Sequence, residues 1–171
     1  MSARSLADWL DGLAPARAIS LWQPWASAVA LGLKSVETRG WATAYKGPLV
    51  VCASKRKPTL AEFGGSPESY AAAMASAPFG AAVCVVWMAG CQPVESVVRA
   101  AWFSESEREW GDYTAGAGRY GFVFSERLRL AQPTPVTGRQ GLFALSPAES
   151  AEVLLAARDR RSSLITWEGR L

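Results

Sequence analysis

The sequence predicts an α+β fold, a curled and partly closed β-sheet with a few helices on one side or at its ends. Three observations carry that reading. Six short β-branched or aromatic runs bounded by Gly and Pro fill the centre of the 171-residue chain, one helical segment interrupts them early, and an amphipathic helix stands at each end. A 50% hydrophobic share over this length suits a domain with a core large enough to fold unaided.

The first element is a short helix. Leu6, Trp9, Leu10 and Leu13 fall at i, i+3, i+4 and i+7, Ser5 and Asp8 have capping-box spacing, and Gly12 and Pro15 end it. A strand follows over 17–21. Pro24 then sits at or near the first turn of a helix whose apolar stripe is Trp25, Val29 and Leu33, and Gly32 and Lys34 lead into the next strand. Further strands are predicted over 35–38, 48–53, 81–88, 120–130 and 142–145, with small helical pieces near 68–75 and 104–110. Ser146, Pro147 and Glu149 read as N-cap, N1 and N3 of a last helix through about Arg160. The chain therefore divides into an N-terminal helix (1–16), a central domain (17–145), and a C-terminal helix and tail (146–171).

Composition excludes several chemistries. The chain has no histidine, so Ser-His-Asp and Cys-His catalysis, the zinc deaminase signature and the HExxH zinc helix cannot be built from it. Cys52, Cys84 and Cys91 form no CxxC pair and sit mostly in apolar runs, as small hydrophobes do. The longest apolar stretch, 81–89, is about half a membrane span, and acidic residues stand where a signal peptide has its apolar core. The expectation is a reduced, cytoplasmic protein without a metal, a cofactor or a membrane partner.

Charge is unevenly placed. Residues 34–57 hold Lys34, Arg39, Lys46, Lys55, Arg56 and Lys57 against Glu37 alone, a balance of +5; residues 58–112 return −5 and 113–145 carry +3. A basic segment in a balanced domain is what a phosphate-facing groove leaves in a sequence, and also what a solvated face leaves.

The densest chemistry lies in Ser20-Leu21-Trp22-Gln23-Pro24-Trp25, followed by Gly32-Leu33-Lys34-Ser35-Val36-Glu37-Thr38-Arg39. A strand feeding a Pro-initiated helix leaves backbone N–H groups free at the corner. There Trp22 can stack on a flat ligand and Gln23 can read the edge of a base, or Trp22 can serve as a core anchor, as Trp25 does by its place on the helix stripe. On a strand over 35–39, Glu37 and Arg39 share a face, and Lys34 joins them only through a twist or bulge. Such a triple serves as a general-base site, a phosphate clamp, or a structural ion pair. Arg119 and Tyr120 at a glycine-flanked strand start, and Arg139 and Gln140 in a glycine-bounded turn, are further candidates for phosphate, stacking and base-edge contacts.

The run 20–26, the run 32–39, Tyr45-Lys46-Gly47-Pro48-Leu49, Ala53-Ser54, Phe79-Gly80-Ala81, Gly118-Arg119-Tyr120-Gly121-Phe122 and Pro135-Val136-Thr137-Gly138-Arg139-Gln140-Gly141-Leu142-Phe143 together resemble the ASCH domain family of the PUA-like superfamily, over roughly 17–145. The resemblance implies a small mixed β-barrel with surrounding helices, and a cleft beside the first helix that takes RNA, nucleotides or modified bases. Some bacterial members are amidohydrolases of N4-acetylcytidine that use a Lys, a Thr and a Glu. The Lys falls on Lys34. The Thr position holds Glu37, with Thr38 one residue later, and the carboxylate nearest the expected Glu is Glu95. The Lys-x-x-Glu-x-Arg form resembles instead the branch assigned nucleic-acid binding.

The function expected is therefore recognition of RNA, single-stranded nucleic acid or a nucleoside. The ligand-binding candidates are Trp22, Gln23, Pro24, Arg39, Arg119, Tyr120, Arg139 and Gln140, with Lys34 and Arg39 near phosphate. The alternative is a metal-independent deacylase using Lys34, Glu37 and Thr38.

Overall fold

The structure, a computed structural model, describes residues 4–12 and 15–167. Its elements run α1 (Leu6–Leu10), β1 (Arg17–Leu21), α2 (Trp25–Leu31), β2 (Val36–Arg39), β3 (Gly47–Ala53), α3 (Leu60–Phe63), α4 (Pro67–Ala75), β4 (Ala81–Pro93), α5 (Val94–Val97), α6 (Glu105–Arg108), β5 (Tyr120–Pro135), β6 (Leu142–Ala144), α7 (Pro147–Arg158) and β7 (Ile165–Thr166). One mixed sheet has the order β2-β5-β4-β3-β1-β6, with β7 added to β5. Only β1 and β3 pair in parallel, Ala18 opposite Val50.

The sheet is buried on both faces because its strands alternate between two cores. Ala18, Val50, Cys52, Ala82 and Val85 point to the face covered by α1 and α7, where Leu6, Trp9, Leu10, Val153 and Ala157 pack. Ile19, Leu49, Val51, Val86 and Met88 point to the opposite face, with Val29 of α2 and Phe122 and Phe124 of β5. β3, central in the sheet, is buried at every position, which is why its sequence reads as one apolar run without alternation. Helices thus cover both faces, the two terminal ones on one and α2 on the other. Register shifts at three places along β4 and β5 bend this long pair and curl the sheet.

Several predicted boundaries move. The strands over 81–88 and 120–130 extend to Pro93 and Pro135, since each forms most of the other's ladder. α2 stops at Leu31 because Gly32 takes the left-handed conformation (φ 83°), so Leu33 lies beyond the helix, 52% exposed, and not on its stripe. Ser5 caps α1 by accepting from the Asp8 amide, and its apolar face docks on this chain's own α7 and sheet; Leu13 lies outside the described residues. The C-terminal capping box forms as predicted between Ser146 and Glu149.

A buried carboxylate that periodicity does not reveal fixes the entry to β2. Glu107 of α6 accepts from the Ser35 amide (3.0 and 2.9 Å), the Ser35 hydroxyl (2.5 Å), the Val36 amide (3.0 Å) and the Tyr113 hydroxyl (3.4 Å). Removing it takes away the carboxylate acceptor that the two amides share. Glu107→Ala should therefore lower stability by about 3 kcal/mol, read as a lower denaturant midpoint at unchanged slope.

Candidate functional site

Lys34 lies in the turn between α2 and β2 and is only 1% exposed. Its Nζ donates to the carbonyls of Val36 (2.6 Å) and Trp110 (2.7 Å) and stands 3.3 Å from Glu37 Oε2. Three acceptors match the three donors of an ammonium group. The turn, held by Glu107, supplies the twist that brings Lys34 to the Glu37 side of β2. Arg39 Nε approaches Glu37 Oε1 to 3.1 Å without hydrogen-bond alignment. Its Nη2 donates to the Ser20 carbonyl of β1 (2.9 Å), so Arg39 reaches across the open side of the sheet, where no backbone ladder joins β2 to β1. Lys34, Glu37 and Arg39 therefore form one continuous chain of charge.

Two cavities flank this chain. The first, of about 340 Å³, is lined by Lys34, Glu37, Thr38 and Arg119 with Trp25, Trp110 and Asp112. Thr38 is occupied there: its hydroxyl oxygen accepts from the Asp112 amide (3.3 Å) and Arg119 Nη2 (3.2 Å). The Thr114 hydroxyl and amide hold the Asp112 carboxyl below the usual range, with the charge of Arg119 adding. Glu95 accepts from the Gly116 amide (2.8 Å) and does not line this cavity.

The second cavity, of about 670 Å³, is lined by Ser20, Trp22, Arg39, Trp41, Lys55, Arg56, Arg139 and Gln140, with Ser54 and the rest of the 137–141 loop. It holds four cations, two tryptophans exposed by 39% and 37%, and no carboxylate. Gly138 packs so near β1 that a Cβ there would meet Ser20 Oγ at 2.7 Å. Glu149 ties this loop to α7: its carboxylate accepts from the Thr137 amide at 2.8 Å as well as from Ser146.

The structure thus brings Trp22, Arg39, Arg139 and Gln140 together, and separately Lys34, Glu37, Thr38 and Arg119. Gln23 goes elsewhere. It is 0% exposed, donating to the Pro78 carbonyl (2.8 Å) and accepting from the Ser27 amide (3.0 Å), which ties down the start of α2 beside Pro24. Its amide is engaged at both ends and faces no cavity wall of the basic cleft. Lys34 is likewise internal and does not reach the basic cleft. Tyr120, opposite Arg39 in the β2–β5 ladder, lines neither cavity. Sequence reasoning misses Trp41, Ser20 and Glu107. Trp41 has a signal, its i+2 spacing from Arg39; Glu107 shows only the Ser104-to-Glu107 capping spacing, which says nothing of its distant partners.

Fold and clefts define a small curled half-barrel domain with a basic, tryptophan-bearing opening beside its first strand. The sequence profile of the ASCH domain matches residues 19–126, and the chain belongs to the ASCH domain family. It is 33% identical over 63 residues to Activating signal cointegrator 1 of Homo sapiens, a stretch of 37% of this chain and 11% of that protein. The crystal structure of ASCH from Zymomonas mobilis superposes with a TM-score of 0.52 at 17% identity, covering 82% of this chain and 94% of that one. A mutant form of the same Zymomonas protein gives 0.52 at 17% identity over 83% and 98%. At that identity the likeness concerns the fold. Among the described residues no helix is long and apolar enough to cross a membrane, and no group of His, Cys, Asp and Glu could hold a metal ion.

The Glu149 tie has a pH dependence of definite sign. Hydrogen bonds from Thr137 and Ser146 lower its pKa in the folded state. Its contribution is therefore complete above the ordinary carboxylate range and is lost as pH falls through the lowered folded value. Hydrogen-exchange protection of the Thr137 amide should drop on acidification below the ordinary carboxylate range, while protection in β3 persists.

Proposed function

We propose that this protein binds single-stranded RNA, or a nucleotide presented like one, in the cleft lined by Trp22, Trp41, Arg39, Lys55, Arg56, Arg139 and Gln140, within the reducing cytoplasm that its buried thiols suit. The observation that carries this reading is the composition of that cleft, cations and exposed indoles with no carboxylate among its lining residues. An unpaired base stacks on an indole, and flexible cations neutralise the phosphates on either side. Lys55 and Arg139 are the cations best placed for phosphate, having no carboxylate within ion-pair distance among the described residues. Gln140, exposed at the rim, takes the base-edge role that sequence reasoning gave to Gln23. Arg39 shapes the wall through Ser20 and Glu37, and the chain's membership in the ASCH family, which is linked to RNA binding, supports a ligand of this class.

The test is a fluorescence-anisotropy titration of a five-residue oligoadenylate RNA at several salt concentrations. Trp22→Ala should weaken binding by roughly tenfold or more, the worth of a stacked base. Arg139→Ala should weaken it and flatten the slope of log K against log salt by about 0.7. Binding without salt dependence, or unchanged by both substitutions, refutes the assignment.

The convergence of Lys34, Glu37 and Thr38 on one cavity favours a second reading, hydrolysis of an N-acyl group from a cytosine nucleoside. In it the ammonium of Lys34 exchanges one of its carbonyls for the acyl oxygen, and Glu37 orients the attacking water. A chromatographic time course with N4-acetylcytidine decides: release of cytidine, abolished by Glu37→Gln, establishes the activity, and no release at high enzyme concentration removes it.

A further inference from the structure

One side chain already occupies the surface that a stacked base requires. The guanidinium of Arg56 lies 4.0 Å from the centroid of the Trp22 ring, leaving no room between them for another flat group. Arg56 does not rest there alone. Its Nη2 donates to Glu62 Oε1 at 2.6 Å. Glu62 is itself fixed, because its other oxygen accepts from the Thr59 amide (2.8 Å) and hydroxyl (3.1 Å) in the capping box that opens α3. The segment carrying it is braced in turn by the Tyr70 hydroxyl, which donates to the Pro58 carbonyl (2.8 Å), and by the edge-to-face contact of Phe63 with Tyr70. Glu62 does not line the cleft, yet it determines where one of the cleft's cations sits.

We propose that Arg56 and Glu62 form a gate over Trp22: Glu62 holds Arg56 on the indole face, and a ligand opens the gate by offering Arg56 a phosphate in exchange for Glu62. The inference rests on the reading of this cleft as a nucleotide site. It adds a rule of selection. A bare nucleoside must lift Arg56 from both the ring and the carboxylate and offers the guanidinium nothing in return. A phosphate-bearing strand gives it a second anion, able to accept two parallel hydrogen bonds where Glu62 accepts one. Arg56 is therefore the residue that discriminates, and Glu62 is a positioning residue that sets the threshold. The Arg56 guanidinium and the Thr59 amide hold the Glu62 carboxyl down to about 2, so the gate stays charged on both sides at any physiological pH.

The experiment is a set of equilibrium titrations of a five-residue oligoadenylate and of adenosine on wild type, Glu62→Gln, Arg56→Gln and Trp22→Ala. Gln at position 62 keeps the capping acceptor and removes the charge. Glu62→Gln should tighten both ligands by about twofold to fivefold, the range of an exposed ion pair. Arg56→Gln should tighten adenosine and weaken the oligonucleotide, so that discrimination between them falls. A purely structural role for the pair predicts no such opposite movement. If Glu62→Gln leaves either ligand unchanged or weaker, or Arg56→Gln binds adenosine no better than wild type does, the gate is refuted. When that happens while Trp22→Ala still weakens oligonucleotide binding by roughly tenfold or more, the cleft assignment stands without the gate. If wild type does not bind the oligonucleotide at all, both fall together.

Discussion

The buried ammonium of Lys34 is the constraint around which the end of the molecule that carries both cavities is arranged. An unpaired charge cannot be taken out of water at tolerable cost, so its surroundings must supply acceptors on every side. They come from two separate stretches: the Val36 carbonyl and the Glu37 carboxylate at the start of β2, and the Trp110 carbonyl after α6. The buried Glu107, reaching back to Ser35 and Val36, fastens the same turn from the other direction. One cation and one anion, neither in contact with the other by ion pair, thus lock the 104–112 segment onto the edge of the sheet.

That lock sets the geometry of both cavities. Glu37 lies on the wall of one and, through Arg39, on the wall of the other; the guanidinium continues to Ser20 in β1. Arg39 does by side chain what a closed barrel does by backbone, joining β2 to β1 across the open side. The basic cleft is therefore bounded by a polar strut on one flank and by the 137–141 loop, moored to α7 through Glu149, on another. Of its remaining cations, Lys55 and Arg56 follow the end of β3 and Arg139 stands in the 137–141 loop.

Much of this was legible in the sequence, for physical reasons that also mark the limit. β1 and β3, the capping box at Ser146, and the helix after Pro24 follow from local rules of periodicity, glycine placement and side-chain oxygen geometry. The grouping of Trp22, Arg39 and Arg139 was legible as a list of residue types suited to one ligand and through resemblance to a family. Which of them share a cavity was not, because it depends on the curl of the sheet, set by register shifts between β4 and β5 that no local pattern announces. Gln23 shows the difficulty from the other side. A glutamine at a strand-to-helix corner has the donor and acceptor to read a base, and the same pair serves equally well to join Pro78 to Ser27. The partner that decides lies 55 residues away in sequence.

The place of β1 carries a consequence for how the chain is made. It lies between β3, which it joins in parallel, and β6, which it joins antiparallel through Arg17 to Ala144 and Ala18 to Phe143. The α1 helix just before it is held by α7, where Arg158 Nε donates to the Leu10 carbonyl at 2.8 Å and Arg161 pairs with Asp11 at 2.6 Å. The first strand of this domain in chain order is thus the one whose second neighbour, β6, follows all the longer strands. During synthesis β1 keeps one bare edge until β6 is made, and α1, which rests on the sheet, lacks its α7 cover until residues beyond 146 follow. Such a topology delays closure of this domain until β6 and α7 have been made, with the loop-closure entropy of the whole domain to be met before the final ladder forms.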